Sequence, residues 1–188
     1  AAHVVPNWTA TGFGLCPQCG PPELLATLQQ SVIQEGLRHY DSTTVSVPNE
    51  IPWHGVELEH RDFTDGPVPA LFVHRPELVE RVLRELQPLV EAWVQRPIQA
   101  QQAYGFRIYQ AHSKLYMHLD KSQTHVLSVI FHLDHSIDAA PWPLVMEDLH
   151  GQTHHVYMAP GDLLFYESSK LLHGRPQPLN GSWYSSVY

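Results

Sequence analysis

The chain lacks most of what would commit it to a specialised class. Only 2 of its 188 residues are cysteine, so no disulfide framework can stand in for a hydrophobic core. Charged residues make up just 16%, and Lys plus Arg number 11 against 19 Asp plus Glu, a net charge of −8. The basic residues are scattered, and without a basic stripe a nucleic-acid backbone has nothing to hold it. No apolar run approaches the about 18 residues a membrane helix needs. Internal repeats and low-complexity tracts are absent as well. What remains is 43% hydrophobic residues and 14 His, the composition of one globular domain large enough to bury its own core.

The two cysteines sit in Cys16-Pro17-Gln18-Cys19. A thioredoxin-like motif would follow a strand of a βαβ unit, and a structural zinc site would need two more ligands. In a Gly/Pro-rich lead-in the motif reads as a local disulfide or as two thiols in a loop. Residues 1–20 read as coil. From Glu23 to His39, Leu24, Leu25, Leu28, Val32 and Leu37 recur at helical spacing behind Pro21 and Pro22, which predicts an amphipathic helix. The stretch from Asp41 to Pro69 is irregular and long enough to be a lid. Pro76 then opens a second periodic segment, Leu78 to Trp93, in which Pro88 is expected to kink or split the helix.

Beyond Pro97 the pattern changes to short β-branched and aromatic runs separated by turn residues. Strands are expected near Tyr104–Gln110, Leu115–Leu119, Thr124–Leu133, Leu144–Asp148, Thr153–Met158, Leu163–Tyr166, Lys170–Gly174 and Trp183–Tyr188. So many short, closely spaced strands imply a sandwich or barrel with the helices packed on one sheet. Residues 1–98 would form a coil and helical scaffold, and 99–188 the catalytic core of one integrated domain.

Within that core, His118 and Asp120 share a face of an extended segment by period-2 alternation, and His173 follows far downstream. Two imidazoles and one carboxylate are the ligand set of a facial triad, which holds non-haem Fe(II) and leaves the opposite face open. A jelly roll would bring His173 to the other two. A second His-x-Asp, His132-Leu133-Asp134, closes a long apolar run and reads as the polar end of a buried strand, its residues structural or substrate-facing. His154 and His155 are adjacent, so in a strand they point apart.

From Tyr104 to Tyr188 the chain resembles the Fe(II)- and 2-oxoglutarate-dependent dioxygenase superfamily, in particular its prolyl-4-hydroxylase-like branch. The resemblance is carried by Arg107-Ile108-Tyr109, by Tyr116-Met117-His118-Leu119-Asp120, and by the run Thr124 to Leu133. It continues in Pro160-Gly161-Asp162-Leu163-Leu164-Phe165-Tyr166 and Leu172-His173-Gly174. It implies a mainly β protein with N-terminal helices: a double-stranded β-helix (jelly-roll) core with supporting α-helices. It also implies Fe(II) on His118, Asp120 and His173, with 2-oxoglutarate as cosubstrate and O₂ as oxidant. Hydroxylation of a C–H bond would accompany release of succinate and CO₂. Tyr109 falls, within one residue, where relatives place a tyrosine that hydrogen-bonds 2-oxoglutarate.

The distal carboxylate of 2-oxoglutarate needs a cation. Relatives carry Lys or Arg a short way beyond the distal His, whereas this chain has Ser182-Trp183-Tyr184 there. By strand alternation Arg107 shares a face with Tyr109, and Arg175 with His173. Either could point inward, where an arginine without an anionic partner is costly. The resulting reading is an oxygenase acting on a prolyl or other peptide side chain, or on an amino-acid-like small molecule. A cupin-like metal-binding jelly roll without turnover is the alternative. A zinc hydrolase lacks a helical His-Glu-x-x-His and a general base. Trp53, Trp142 and Tyr157 could line a substrate pocket. No nucleic acid or membrane partner is expected of what reads as a soluble protein. Asn7-Trp8-Thr9 and Asn180-Gly181-Ser182 fit glycosylation acceptors and hence a secretory route, with a cytoplasmic location the other option. Oligomeric state is not encoded in any pattern found.

Overall fold

The computed structural model describes residues 6–34, 36–38, 55–58, 70–103 and 106–188, with 55–58 as backbone alone. Among them are β1 Phe13–Cys16, α1 Pro22–Leu28, β2 Gly55–Leu58, β3 Leu71–His74, α2 Pro76–Val94 and β4 Phe106–Gln110. There follow β5 Leu115–His118, β6 Ser128–His135, β7 Leu144–Glu147, β8 Thr153–Val156, β9 Leu163–Tyr166, β10 His173–Arg175 and β11 Trp183–Val187. A seven-stranded sheet runs β1-β9-β6-β11-β4-β3-β2, and a four-stranded sheet runs β5-β10-β7-β8. Every pairing is antiparallel. This is the jelly-roll arrangement that the sequence led us to expect, and all eight strands placed beyond Pro97 are found.

Three strands lie where none was expected. Phe13–Cys16, in the stretch read as coil, pairs with β9, because an edge strand can draw its order from its partner and needs little alternation of its own. β2 and β3 extend the same sheet beyond β4, so the large sheet is built from both sides of residue 98. Of the stretch considered as a lid, only Gly55–Leu58 is described. Trp53 lies outside the described residues.

The helices form as their punctuation directs. Pro22 occupies the first turn of α1, where its missing N–H costs nothing. A wider π-type turn, Gln29–Gln34, continues it. α2 begins at Pro76 and ends where Gln95 turns left-handed at φ 55°. It runs through Pro88 as one element and is not split there. Leu78, Val82, Leu86, Val90 and Val94 form one buried stripe on both sides of the proline, and that stripe anchors both halves to the same sheet.

The large sheet is two-faced. One face meets the helices through Phe106, Ile108, Phe131, Leu133, Leu163, Phe165 and Val187. The other looks into the barrel, where Ile130, Leu164 and Tyr166 meet Leu144 and Met146 of the small sheet. Deeper, Tyr109, Trp142, Leu179 and Tyr184 form a separate aromatic floor. At the N terminus Cys16 and Cys19 are joined as a disulfide, the first of the two forms expected of that motif. The loop it closes is held by Asp162, whose carboxylate accepts from the Gln18 backbone N–H at 3.0 Å.

Candidate metal centre

His118 ends β5 and His173 begins β10, and these two residues face each other in the antiparallel ladder. Their rings stand 4.4 Å apart between centroids. The pairing shifts register between His173 and Arg175, because β5 spends one extra residue there, a bulge of the kind that re-aims a side chain. Gly174 makes this possible: a Cβ at that position would lie 2.6 Å from the Tyr116 carbonyl oxygen.

Asp120 reaches the site by a different route from the one strand alternation suggests. β5 stops at His118 and Asp120 lies in the connection that follows. Its backbone N–H donates to the Ser168 carbonyl at 3.0 Å, and the Ser128 hydroxyl donates to its Oδ2 at 3.1 Å. Asp120 Oδ1 then lies 3.6 Å from His118 Nε2 and 4.0 Å from His173 Nε2. All three ligand atoms fall within 4.8 Å of one another, and among the described residues no other His, Cys, Asp and Glu side chains converge in this way.

The donor chemistry fits a divalent ion. His118 Nδ1 bonds the Tyr116 carbonyl at 2.8 Å and His173 Nδ1 the Leu171 carbonyl at 2.8 Å. A carbonyl only accepts, so each Nδ1 carries the proton and each Nε2 lone pair is left for a ligand. Burial holds the His173 imidazole below its usual pKa, opposed by its bond to Leu171, which favours the neutral, ligating form. Ligands about 2.0–2.2 Å from one ion on a common face stand about 3 Å apart, so side-chain rotations that draw these atoms together would close the triad. Tyr166 packs edge-on against His173 at 4.8 Å. Its phenol is raised well above its usual pKa, chiefly by burial and then by the Asp120 charge.

Two arginines of the strands β4 and β10 are buried. Arg107, 5% exposed, donates to the Tyr109 hydroxyl at 2.9 Å, so the two do share the inward face. Arg175, 3% exposed, lies against the rings of Trp142 and Tyr184, 4.6 and 4.5 Å from their centroids. It donates to the Trp142 carbonyl and, at 3.3 Å, to the Tyr184 hydroxyl. No carboxylate among the described residues lies within 4 Å of its guanidinium. Tyr184 belongs to β11 of the large sheet and Arg175 to β10 of the small one, so this contact joins the two sheets.

The competing His-x-Asp does not join the triad. His132 is fully buried, bonds the Ser185 carbonyl at 3.0 Å through Nδ1, and stacks on Tyr184 at 4.2 Å. Burial, then the charge of Arg175 and then His135, lowers its pKa to about 3. His154 pairs with Asp148 at 2.8 Å, away from the triad. Trp142 and Tyr157 do line a common cavity of about 410 Å³, together with His135, Asp162 and Tyr184. Sequence reasoning missed Ser128 and Ser168, although a lone serine inside the apolar run Val126–Phe131 was the available signal. It also missed Glu167, fully buried, which accepts from the backbone N–H groups of Trp8 and Thr9 at 2.9 and 3.0 Å. None of the described helices is long and apolar enough to cross a membrane.

No family model and no curated protein sequence matches the chain. Solved structures do. A prolyl-4-hydroxylase from Pseudomonas putida superposes with a TM-score of 0.60 at 17% identity, over 95% of this chain and 91% of that one. AviO1 from Streptomyces viridochromogenes gives 0.65 at 16% identity, over 96% and 89%. HygX from Streptomyces hygroscopicus, solved with nickel, 2-oxoglutarate and hygromycin B bound, gives 0.61 at 13%, over 94% and 81%. The chain thus has the jelly-roll fold of the prolyl-4-hydroxylase structure and of HygX, and it carries a His-Asp-His cluster at the paired ends of two of its strands.

Proposed function

We propose that the protein is an Fe(II)- and 2-oxoglutarate-dependent oxygenase that hydroxylates a C–H bond of a prolyl or other peptide side chain, or of an amino-acid-like small molecule. The observation that carries this reading is the convergence of the His118, Asp120 and His173 ligand atoms, with both imidazole tautomers set for coordination. The kind of substrate is supported by the neighbours: HygX with hygromycin B, and a prolyl hydroxylase with a peptide fragment from Trichoplax adhaerens, which superposes with a TM-score of 0.53 at 14% identity. When bound, the iron with 2-oxoglutarate and O₂ supplies the oxidising chemistry, and succinate and CO₂ are the coproducts.

This chain's own residues hold and orient. His118, Asp120 and His173 would occupy one face of the metal and leave the other open. Arg175 would bind the distal carboxylate of 2-oxoglutarate. Among the described residues it is a buried cation bonded to neutral groups, and a carboxylate would offset the cost of its burial. Tyr109 accepts from Arg107, which leaves its own proton for a carboxylate oxygen. The rings of Trp142 and Tyr184, packed on Arg175, would shield its guanidinium from water.

The test is anaerobic loading with Fe(II), addition of 2-oxoglutarate and O₂, and measurement of succinate with peptide and amino-acid substrates. Succinate should form, and His118→Ala should abolish it. Arg175→Ala should raise the KM for 2-oxoglutarate at least tenfold, with a smaller effect from Arg107→Ala. Metal binding without succinate, across all substrates, would instead leave a cupin-like metal-binding module.

A further inference from the structure

We propose that Ser128, backed by Ser168, is a positioning residue that confines Asp120 to one coordinating oxygen and thereby sets the affinity and geometry of the metal centre. The inference rests on the reading of His118, Asp120 and His173 as metal ligands. Asp120 is the one member of the triad outside a strand, so no ladder fixes the direction of its carboxylate. Ser128 Oγ lies 3.1 Å from Asp120 Oδ2 and 2.7 Å from Ser168 Oγ. A hydroxyl has one hydrogen to give. A carboxylate oxygen only accepts, so the contact with Oδ2 takes the Ser128 proton, and the Ser128 oxygen is left to accept from Ser168 or from the Tyr166 phenol, which also bonds it. The alternative acceptor for Ser168, the His125 carbonyl at 3.5 Å, is at the limit of a hydrogen bond.

Ser128 therefore holds Oδ2 by donation, which leaves Oδ1 facing both imidazoles. A carboxylate without this restraint can turn both oxygens to a metal. It would then take one of the positions that the triad must keep open. The support is itself fixed. Next to Ser168, the Glu167 side chain is fully buried and ion-paired to Lys170 at 2.6 Å. The Glu167 backbone N–H donates to the Gly12 carbonyl at 2.8 Å.

Cobalt(II) titration of the full chain, against a competing chromophoric chelator, tests this without turnover. Ser128→Ala should weaken cobalt binding about 10- to 100-fold and change the visible absorption of the bound ion as its coordination number rises. Ser128→Thr, which keeps the hydroxyl, should restore both, and Ser168→Ala should weaken binding to a lesser degree. Unchanged affinity and spectrum in Ser128→Ala overturn the proposal. So does a loss of affinity with an unchanged spectrum that Thr does not rescue, since that is the mark of a merely structural role. Wild type and His118→Ala are titrated in parallel. If cobalt binds both equally or neither, the ligand assignment fails and takes this inference with it.

Discussion

His132 illustrates how a single buried imidazole ties stability to pH. Its pKa is lowered to about 3 in the folded chain, against about 6.5 when exposed. Between those values the unfolded chain binds a proton that the folded chain refuses. Stability therefore falls as pH drops from about 6.5 toward 3, at up to about 1.4 kcal/mol per pH unit. His173 is depressed in the same direction and adds to the slope. Asp138 and Asp148, each lowered to about 2, act only once the pH reaches the ordinary carboxylate range. Urea unfolding between pH 7 and 5 thus isolates the imidazoles. His132→Gln should flatten the slope there even though it loses the stack on Tyr184, and stability profiles parallel to wild type would contradict the assignment. At this scale the sequence was partly legible. Alternation placed Arg107 beside Tyr109, and the end of an apolar run marked His132 as a structural or substrate-facing residue. The partner of Arg175 was not legible, because Tyr184 belongs to the facing sheet.

At the scale of elements, the metal centre is a property of the β5–β10 pair more than of either strand. β10 has only three residues, and its register against β5 slips at Gly174. The slip is tolerated because glycine lets the backbones approach where a Cβ would meet the carbonyls of Leu115 and Tyr116 at 2.8 and 2.6 Å. Gly174→Ala should force the strands apart, costing about 1–3 kcal/mol as overpacking does. The same change should separate His118 from His173 and weaken cobalt binding. Chemical denaturation and the cobalt titration check both effects, and a variant as stable and as tightly metallated as wild type would refute the argument. Elements with strong internal pattern could be read in advance: α2 from its apolar stripe, and β6 from its apolar run. β1 and β3 could not, because short strands take their order from neighbours distant in the chain. The same holds for Asp120, which reaches the site through Ser128 and Ser168 and not through strand alternation.

For the whole molecule, the large sheet and its helices form a packed support, and the small sheet carries two of the three ligands on its β5–β10 pair. The order of motifs along the chain made that architecture legible. The contacts of Arg175 were not, since its aromatic partner Tyr184 lies on β11 of the facing sheet. A ligand that binds only the folded state adds stability by mass action, about 2.7 kcal/mol at a hundredfold excess over its Kd. For a chain of this size each kcal/mol raises Tm by about 2–4 °C, so saturating nickel(II) should add about 5–11 °C. If the metal and Arg175 grip opposite ends of one cosubstrate, 2-oxoglutarate should add a second increment only after metal is bound. Arg175→Ala should keep the first increment and lose the second, while His118→Ala should lose both. A 2-oxoglutarate increment of equal size without metal, or one that survives Arg175→Ala, would place the cosubstrate elsewhere in the barrel.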